Sequence, residues 1–361
     1  MIDSFKGKIK IRGSIESMKF SLFMQMERFD TSKTHKQLLD EMVELVQMAE
    51  AGGFQTVWVG EHHSMEFTIG PNPLSFLSYL APLTSSIRLG VGTFVAPFWH
   101  PIKLASESAL VDIMSDGRLE FGIARGAYQY EFDRMLDGEA ASDGGKYLRE
   151  IVPAVQKLWQ GDYAHEGECW RFPTSTSVPK PLQKQPPMWI AARDPDSHNF
   201  AVKNNCNVMV TPLFKSDEEV DSLVDKFESA CANNPEISRP KIMCLRHTFV
   251  HENEEDWLIG VNGIRNWYSH FSSLFRNKLE PVNGFCAPIS EEELDAMPDF
   301  KRETLKENLM IGSPNNIIER LKHYESIGID EYSFWSDNSL SHEEKKASLA
   351  LFIEKVVPEF N

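Results

Sequence analysis

The sequence predicts an α/β fold: a single closed (β/α)8 barrel of the TIM type, carrying a small hairpin excursion and a long rim loop that serves as a lid. Three observations lead there. Short β-branched or apolar runs alternate with longer helical periods eight times along the chain. Several of these runs (TVWVG at 56–60, PMWIAA at 187–192, NVMV at 207–210) are almost unbroken in apolar residues, as parallel strands buried on both faces are. No long polar linker divides the 361 residues. Together these favour one closed barrel over two domains or an open doubly wound sheet.

Residues 1–17 (MIDSFKGKIKIRGSIES) are mildly basic and lack the apolar stretch of a secretory signal, so they are set apart as an N-terminal extension, with the barrel domain over 18–361. Strands are predicted at Lys19–Met24, Thr56–Gly60, Ile87–Ala96, Arg118–Ala124, Met188–Ala192, Asn207–Val210, Ile242–Val250 and Glu331–Trp335. Between the first two, Lys36–Ala51 carries an apolar stripe at helical spacing and stops at Gly52-Gly53, a glycine end. Ile102–Met114 repeats the pattern and ends at Ser115-Asp116-Gly117. Asn315–Ser326 begins after Ser313-Pro314, a helix-start signature, and stops at Gly328. Tyr163–Phe172, flanked by Gly161 and containing Gly167, reads as the hairpin. Residues 277–299, rich in Pro, Gly and acids, read as the rim loop.

Composition narrows the function. Thirty-seven basic against 53 acidic residues leave a formal charge of −16, which disfavours nucleic acid and anionic membrane as partners. No apolar run approaches the roughly 18 residues of a membrane-spanning helix. The five cysteines (Cys169, Cys206, Cys231, Cys244 and Cys286) fit no zinc or redox spacing. An odd number of thiols suits a reducing, cytoplasmic setting.

Three constellations carry chemistry. Gly60-Glu61-His62-His63 lies at the C-terminal end of the second strand, the end where barrels build their active sites. Alternation lets only one of the two histidines face the mouth, where it is suited to moving a proton near neutral pH. A metal role would need ligands from other strand ends, and a purely structural histidine is the third option. Gly122-Ile123-Ala124-Arg125-Gly126 places a cation where the fourth strand ends, suited to clamping an anion, unless Arg125 instead pairs with a buried carboxylate such as Glu61. Arg193-Asp194-Pro195-Asp196-Ser197 turns from strand into helix, and the unpaired N–H groups of such a turn hold phosphate well. The two aspartates oppose that reading unless they cap the helix or turn away. Gly90-Val91-Gly92-Thr93-Phe94-Val95 begins like a dinucleotide loop, but Val95 stands where the third glycine is needed.

In their order these segments resemble the luciferase-like flavin-dependent monooxygenases, the family of the bacterial luciferase alpha chain. The resemblance rests on GFQTVWVGEHHSMEF with GPNP (53–73), HPIKLASESALVDIMSDGRLEFGIARGAYQYEF (100–132), AARDPDSHNFAVKNN (191–205) and IGSPNNIIERLKHYESIGIDEYSFW (311–335). It implies a monooxygenase that receives reduced FMN from a separate NAD(P)H-dependent flavin reductase. The flavin reacts with O2 as co-substrate to a C4a-(hydro)peroxyflavin that oxygenates a small organic substrate. It also implies a homodimer. Carried over by position, His62 is the proton-handling catalytic residue and Arg125 grips the FMN phosphate. The backbone of Arg193 and Asp194 and the hydroxyl of Ser197 complete the phosphate site. Val95 packs backbone under the isoalloxazine, with a non-proline cis peptide expected at Phe94–Val95. The loop at 277–299 is the lid over the flavin. Ala124 stands where the luciferase alpha chain has a reactive cysteine, so no thiol acts there. The rivals are a deazaflavin-dependent hydride-transfer enzyme of the same superfamily, a non-catalytic flavin-binding protein and a metal-dependent barrel hydrolase.

Overall fold

The computed structural model describes residues 17–360, so the proposed extension lies, save Ser17, outside the described residues. Eight parallel strands close into a barrel: β1 (Lys19–Met24), β2 (Thr56–Val59), β3 (Arg88–Val91), β4 (Leu119–Ala124), β5 (Met188–Ala191), β6 (Asn207–Val210), β7 (Ile242–Val250) and β8 (Glu331–Trp335). They follow one another around the wall in chain order. Closure comes from β8, which pairs both with β7 (His247 opposite Trp335) and with β1 (Phe23 opposite Trp335). The antiparallel hairpin sits outside the barrel as Tyr163–Glu166 and Arg171–Ser175.

The helices start and stop where their ends can be satisfied. Helix α1 (His35–Ala51) opens with a capping box between Thr34 and Gln37 and closes at Gly52. α2 (Pro73–Leu80) is capped by Asn72, and α3 (Pro101–Met114) by His100. The outer layer continues with α4 (Gln129–Met135), α5 (Gly144–Gln160), α6 (Pro195–Lys203), α7 (Asp217–Asn233), α8 (Trp257–Arg276), α9 (Pro314–Ile327) and α10 (His342–Leu351). Among the described residues no helix is long and apolar enough to cross a membrane.

Period-two alternation sorts the strand residues into two cores. Leu22, Val57, Val59, Ile123 and Ile190 join the shell between strands and helices. Phe23, Trp58, Trp189, Met209, Met243 and Trp335 instead fill the barrel and its mouth. Trp58 is fully buried and meets Trp189 edge to face at 5.5 Å. Its bulk is possible because the neighbouring strand offers Gly90, where any β-carbon would run into the indole.

The third strand departs from expectation. The predicted Ile87–Ala96 breaks into β3 and a two-residue piece, Phe94–Val95, paired with Ile123 and Ala124 of β4. The non-proline cis peptide is at Gly92–Thr93, correcting the expected Phe94–Val95. Glycine and threonine stand at the break, whereas Phe94 and Val95 are engaged in pairing. The rim region is also more ordered than its composition suggests. Ser290 caps a short helix, Glu291–Asp295, and the buried Arg265 of α8 grips it through Glu291, through Asp295 at 2.6 Å and through the carbonyl of Phe300 at 3.0 Å.

Candidate active site

Past Val59 the chain leaves the barrel wall, and its next polar residues divide their roles. Glu61 is 2% exposed and accepts three hydrogen bonds at 2.8 Å, from the Val95 N–H, the Trp99 indole and Nε2 of His63. It thereby ties the end of the second strand to the loop after the third. Burial opposes charge on His63, but the hydrogen bond and charge of Glu61, with the charge of Glu131, outweigh it and hold His63 above the usual imidazole range. His63 is thus the structural histidine of the pair.

His62 is the one that faces the mouth. Its Nδ1 donates to the carboxylate of Glu131 at 3.3 Å, and the same carboxylate accepts the backbone N–H of His63 at 2.8 Å. Glu131 belongs to α4 and is 1% exposed, so it is a fixed acceptor. With the proton of the neutral ring drawn to Nδ1, Nε2 is left for chemistry.

Arg125 leaves β4 beside Gly126, whose φ of +85° lies in the region that favours glycine. Its guanidinium donates to the Ala141 carbonyl at 3.1 Å and makes no ion pair among the described residues. Pairing with Glu61 does not occur, since that carboxylate is committed elsewhere. At the fifth strand, the Asp194 carboxylate caps α6 by accepting the Ser197 N–H at 2.9 Å. The objection raised by that aspartate is therefore met. The Ser197 hydroxyl gathers the N–H groups of Arg193 and Asp194 at 3.1 and 3.2 Å. The Arg193 guanidinium turns to the Thr211 carbonyl and Glu219, so Arg193 brings backbone rather than charge to the turn.

These pieces converge. His62, Val95, Arg125, Arg193, Asp194 and Ser197 all line one cavity of about 670 Å³ at the C-terminal ends of the strands. Gly92, Thr93, Ala124 and Met209 line it as well. Three of its charged residues were not foreseen. Glu131 acts on His62 from seven residues beyond Ala124, a spacing that carries no general motif. Arg149 of α5 and Lys226 of α7 add two cations to its outer wall, each from a helix with no local signature of anion binding. A second cavity of about 360 Å³ shares His62, and from the rim loop Asn283 and Gly284 line it. The loop therefore approaches His62 from the side away from the arginines, and none of 277–299 lines the larger cavity. Among the described residues no cluster of three or more His, Cys, Asp or Glu is placed to hold a metal ion.

The comparisons with known proteins agree with this architecture. The family model of the luciferase-like monooxygenases matches residues 18–331. The oxygenase component of a flavin-dependent trigonelline monooxygenase from Acinetobacter baylyi is 52% identical over 345 residues, covering 95% of this chain and 96% of the relative. Among solved structures, a monooxygenase from Streptomyces bottropensis superposes with a TM-score of 0.80 at 23% identity, covering 95% of this chain and 100% of that one. The oxygenating constituent of 3,6-diketocamphane monooxygenase from Pseudomonas putida, solved with FMN, superposes at 0.75 with 15% identity, covering 96% and 99%. At such identities these two speak for the fold alone. The chain belongs to the luciferase-like monooxygenase family and is a flavin-dependent monooxygenase by class.

Proposed function

We propose that this chain is the oxygenase of a two-component system, receiving reduced FMN from a separate NAD(P)H-dependent flavin reductase and using O2 to oxygenate a small N-heteroaromatic cation of the trigonelline kind. The observation that carries it is the convergence of a carboxylate-held imidazole and a set of anion donors on one cavity. The donor set fits the cofactor. Arg125 suits a phosphate, and the Ser197 hydroxyl with the Arg193 and Asp194 N–H groups joins it by exchanging their present mutual hydrogen bonds for the anion. About 670 Å³ with glycine and alanine on the wall suits a flat ring system. Reduced FMN, when bound, supplies two electrons to O2, so that one oxygen atom reaches the substrate and the other leaves as water.

The chain's own residues bind, shield and move protons. Arg125 and Ser197 anchor the phosphate end, and backbone at Gly92, Thr93 and Val95 supports the ring. His62 exchanges a proton through Nε2 while Glu131 fixes its Nδ1. Glu61 holds the Val95 backbone in place, and the rim loop keeps water from His62. The 52% identical relative supports the substrate class and the reductase. A homodimer is part of the same reading: Tyr79, Leu83, Leu110, Ile113 and Met114, exposed on and beside α2 and α3, offer apolar area for a second copy. So are a cytoplasmic setting and the division into extension and barrel.

The test mixes anaerobic protein and photoreduced FMN with oxygenated buffer containing trigonelline. Delayed return of oxidised flavin, with oxygenated product formed, supports the reading. Immediate return of oxidised flavin with stoichiometric peroxide rejects it. In His62→Ala, product falls and peroxide rises while FMN affinity holds, and unchanged product yield removes His62 from the mechanism.

A further inference from the structure

The barrel mouth holds a knot of buried polar atoms that nothing in the mechanism above uses. His247 of β7 is fully buried, and among the described residues its ring nitrogens have no partner apart from the backbone at Asp337. Only the backbone at Asp337 acts on it favourably, and burial depresses its pKa to about 3, so the ring is neutral. Beside it the Trp267 indole N–H and the Tyr268 hydroxyl, and one inward position deeper on β8 the Ser333 hydroxyl, are also buried and without a partner among the described residues. The rings of His247, Trp267, Tyr268 and Trp335 share one place. His247 stacks on Trp335 at 3.8 Å and 12°, and lies 4.7 Å from the Trp267 ring and 5.3 Å from Tyr268. Ser333 precedes Trp335 by two residues and so shares its face of β8.

Buried polar groups are nearly always paired, and several orphans in a single knot point to a missing partner. Its surroundings define that partner. The walls are aromatic faces: Trp335, Trp267, Tyr268 and, stacked on Trp267 at 5.4 Å, Phe271. Such faces attract a cation, best when it is flat and poorly hydrated. The orphan groups are mainly donors, suited to an anion or carbonyl. The imidazole on Trp335 already shows a flat nitrogen heterocycle taking that face. The knot also reaches the active site, because Phe271 meets Tyr128 at 6.0 Å and Tyr128 meets His62 at 5.2 Å.

We infer that His247, Trp267, Tyr268, Ser333 and Trp335 form a closed-up substrate box for a flat aromatic cation that bears a carboxylate. The inference rests on the substrate class proposed above and assigns it a place. The cationic ring stacks on Trp335 as His247 swings aside. Its carboxylate accepts from the Tyr268 and Ser333 hydroxyls and the Trp267 N–H. α8 supplies Trp267, Tyr268 and Phe271, and its last turn leaves Phe275 59% exposed.

The test exploits the orphan state of the hydroxyls. Tyr268→Phe and Ser333→Ala each remove a hydroxyl without a partner among the described residues, so neither variant loses thermal stability. Trigonelline and N-methylpyridinium, which lacks the carboxylate, are titrated by calorimetry into flavin-free wild type and both variants. The box predicts that trigonelline binding weakens about tenfold in each variant while N-methylpyridinium binding does not change. Equal trigonelline affinity in all three proteins overturns it, as does a wild type that binds FMN but neither probe. Binding of photoreduced FMN, measured separately, fails only if the flavin-site reading fails.

Discussion

Glu131 and His62 form a dyad across two elements. The carboxylate, 1% exposed on α4, stands 3.3 Å from Nδ1 of the histidine that follows β2. A carboxylate in that position accepts only, so it dictates which nitrogen carries the proton of the neutral ring. Glu131→Gln keeps the shape but can present an N–H to Nδ1, moving the ring proton to Nε2. Oxygenation is expected to fall about 10–100-fold, at or below the usual cost of losing a general acid or base outright. FMN affinity should stay within about twofold. The ratio of product to hydrogen peroxide per reduced flavin reads this out, and an unaltered ratio refutes the dyad.

Among the described residues Arg125 has no carboxylate to satisfy it, which leaves its charge for a ligand. Arg125→Ala should weaken FMN binding about tenfold or more and leave riboflavin, which lacks the phosphate, unaffected. Arg149→Gln and Lys226→Gln should act chiefly on the association rate and its salt dependence, since both stand on the outer wall of a strongly acidic protein. Stopped-flow flavin fluorescence at several salt concentrations separates the two effects. Equal losses for FMN and riboflavin would contradict the assignment of Arg125 to the phosphate.

Glu331 lies deep in the barrel, where burial pushes its pKa up to about 7 against the hydrogen bonds of Ser21 and Trp58, with the charge of Glu120 adding to the rise. The folded protein thus holds a proton that the unfolded chain releases near pH 4.5. Stability linked to this group is full below that pH and declines as pH rises toward 7. Glu331→Gln keeps the acceptor for the Trp58 indole and removes the titration. The variant should gain on wild type, on the order of 3 kcal/mol, between pH 4.5 and 8. Urea unfolding at both pH values measures it, and a difference independent of pH excludes Glu331 as the source.

Gly90 faces the Trp58 indole with no room for a methyl group. Gly90→Ala should cost about 1–3 kcal/mol through overpacking. The paired variant Gly90→Ala with Trp58→Phe should recover part of that loss. A single variant as stable as wild type in thermal unfolding would mean that the interior yields more readily than its packing implies.

Much of this molecule was legible in its sequence because burial on both faces leaves a plain trace. Runs such as NVMV and KFSLFM mark β6 and β1 to the residue. The third strand was less legible: an apolar run from 87 to 96 gives no sign that Gly92 and Thr93 interrupt the pairing. That His62 and Arg125 meet at one cavity was legible because each follows a strand end, and barrel strands deliver such residues to a common mouth. Glu131, Arg149 and Lys226 come from helices, whose approach to the mouth depends on how the outer layer packs, and no local pattern records it. The aromatic residues of α8 were hidden for a similar reason, since a stripe of Trp, Tyr and Phe looks the same whether it seals a core or surrounds a ligand.

The grip of Arg265 has a mechanical result. Its guanidinium is 1% exposed and its partners Glu291 and Asp295 are not, so lifting the short helix would strand a bare charge inside the protein. The stretch 291–300 therefore acts as a fixed post. At the other end Asn277 terminates α8 and ties to Asp133 at 2.7 Å. Any swing of the rim is confined to the dozen or so residues strung between these two anchorages, a short tether beside the imidazole rather than a door across the whole mouth.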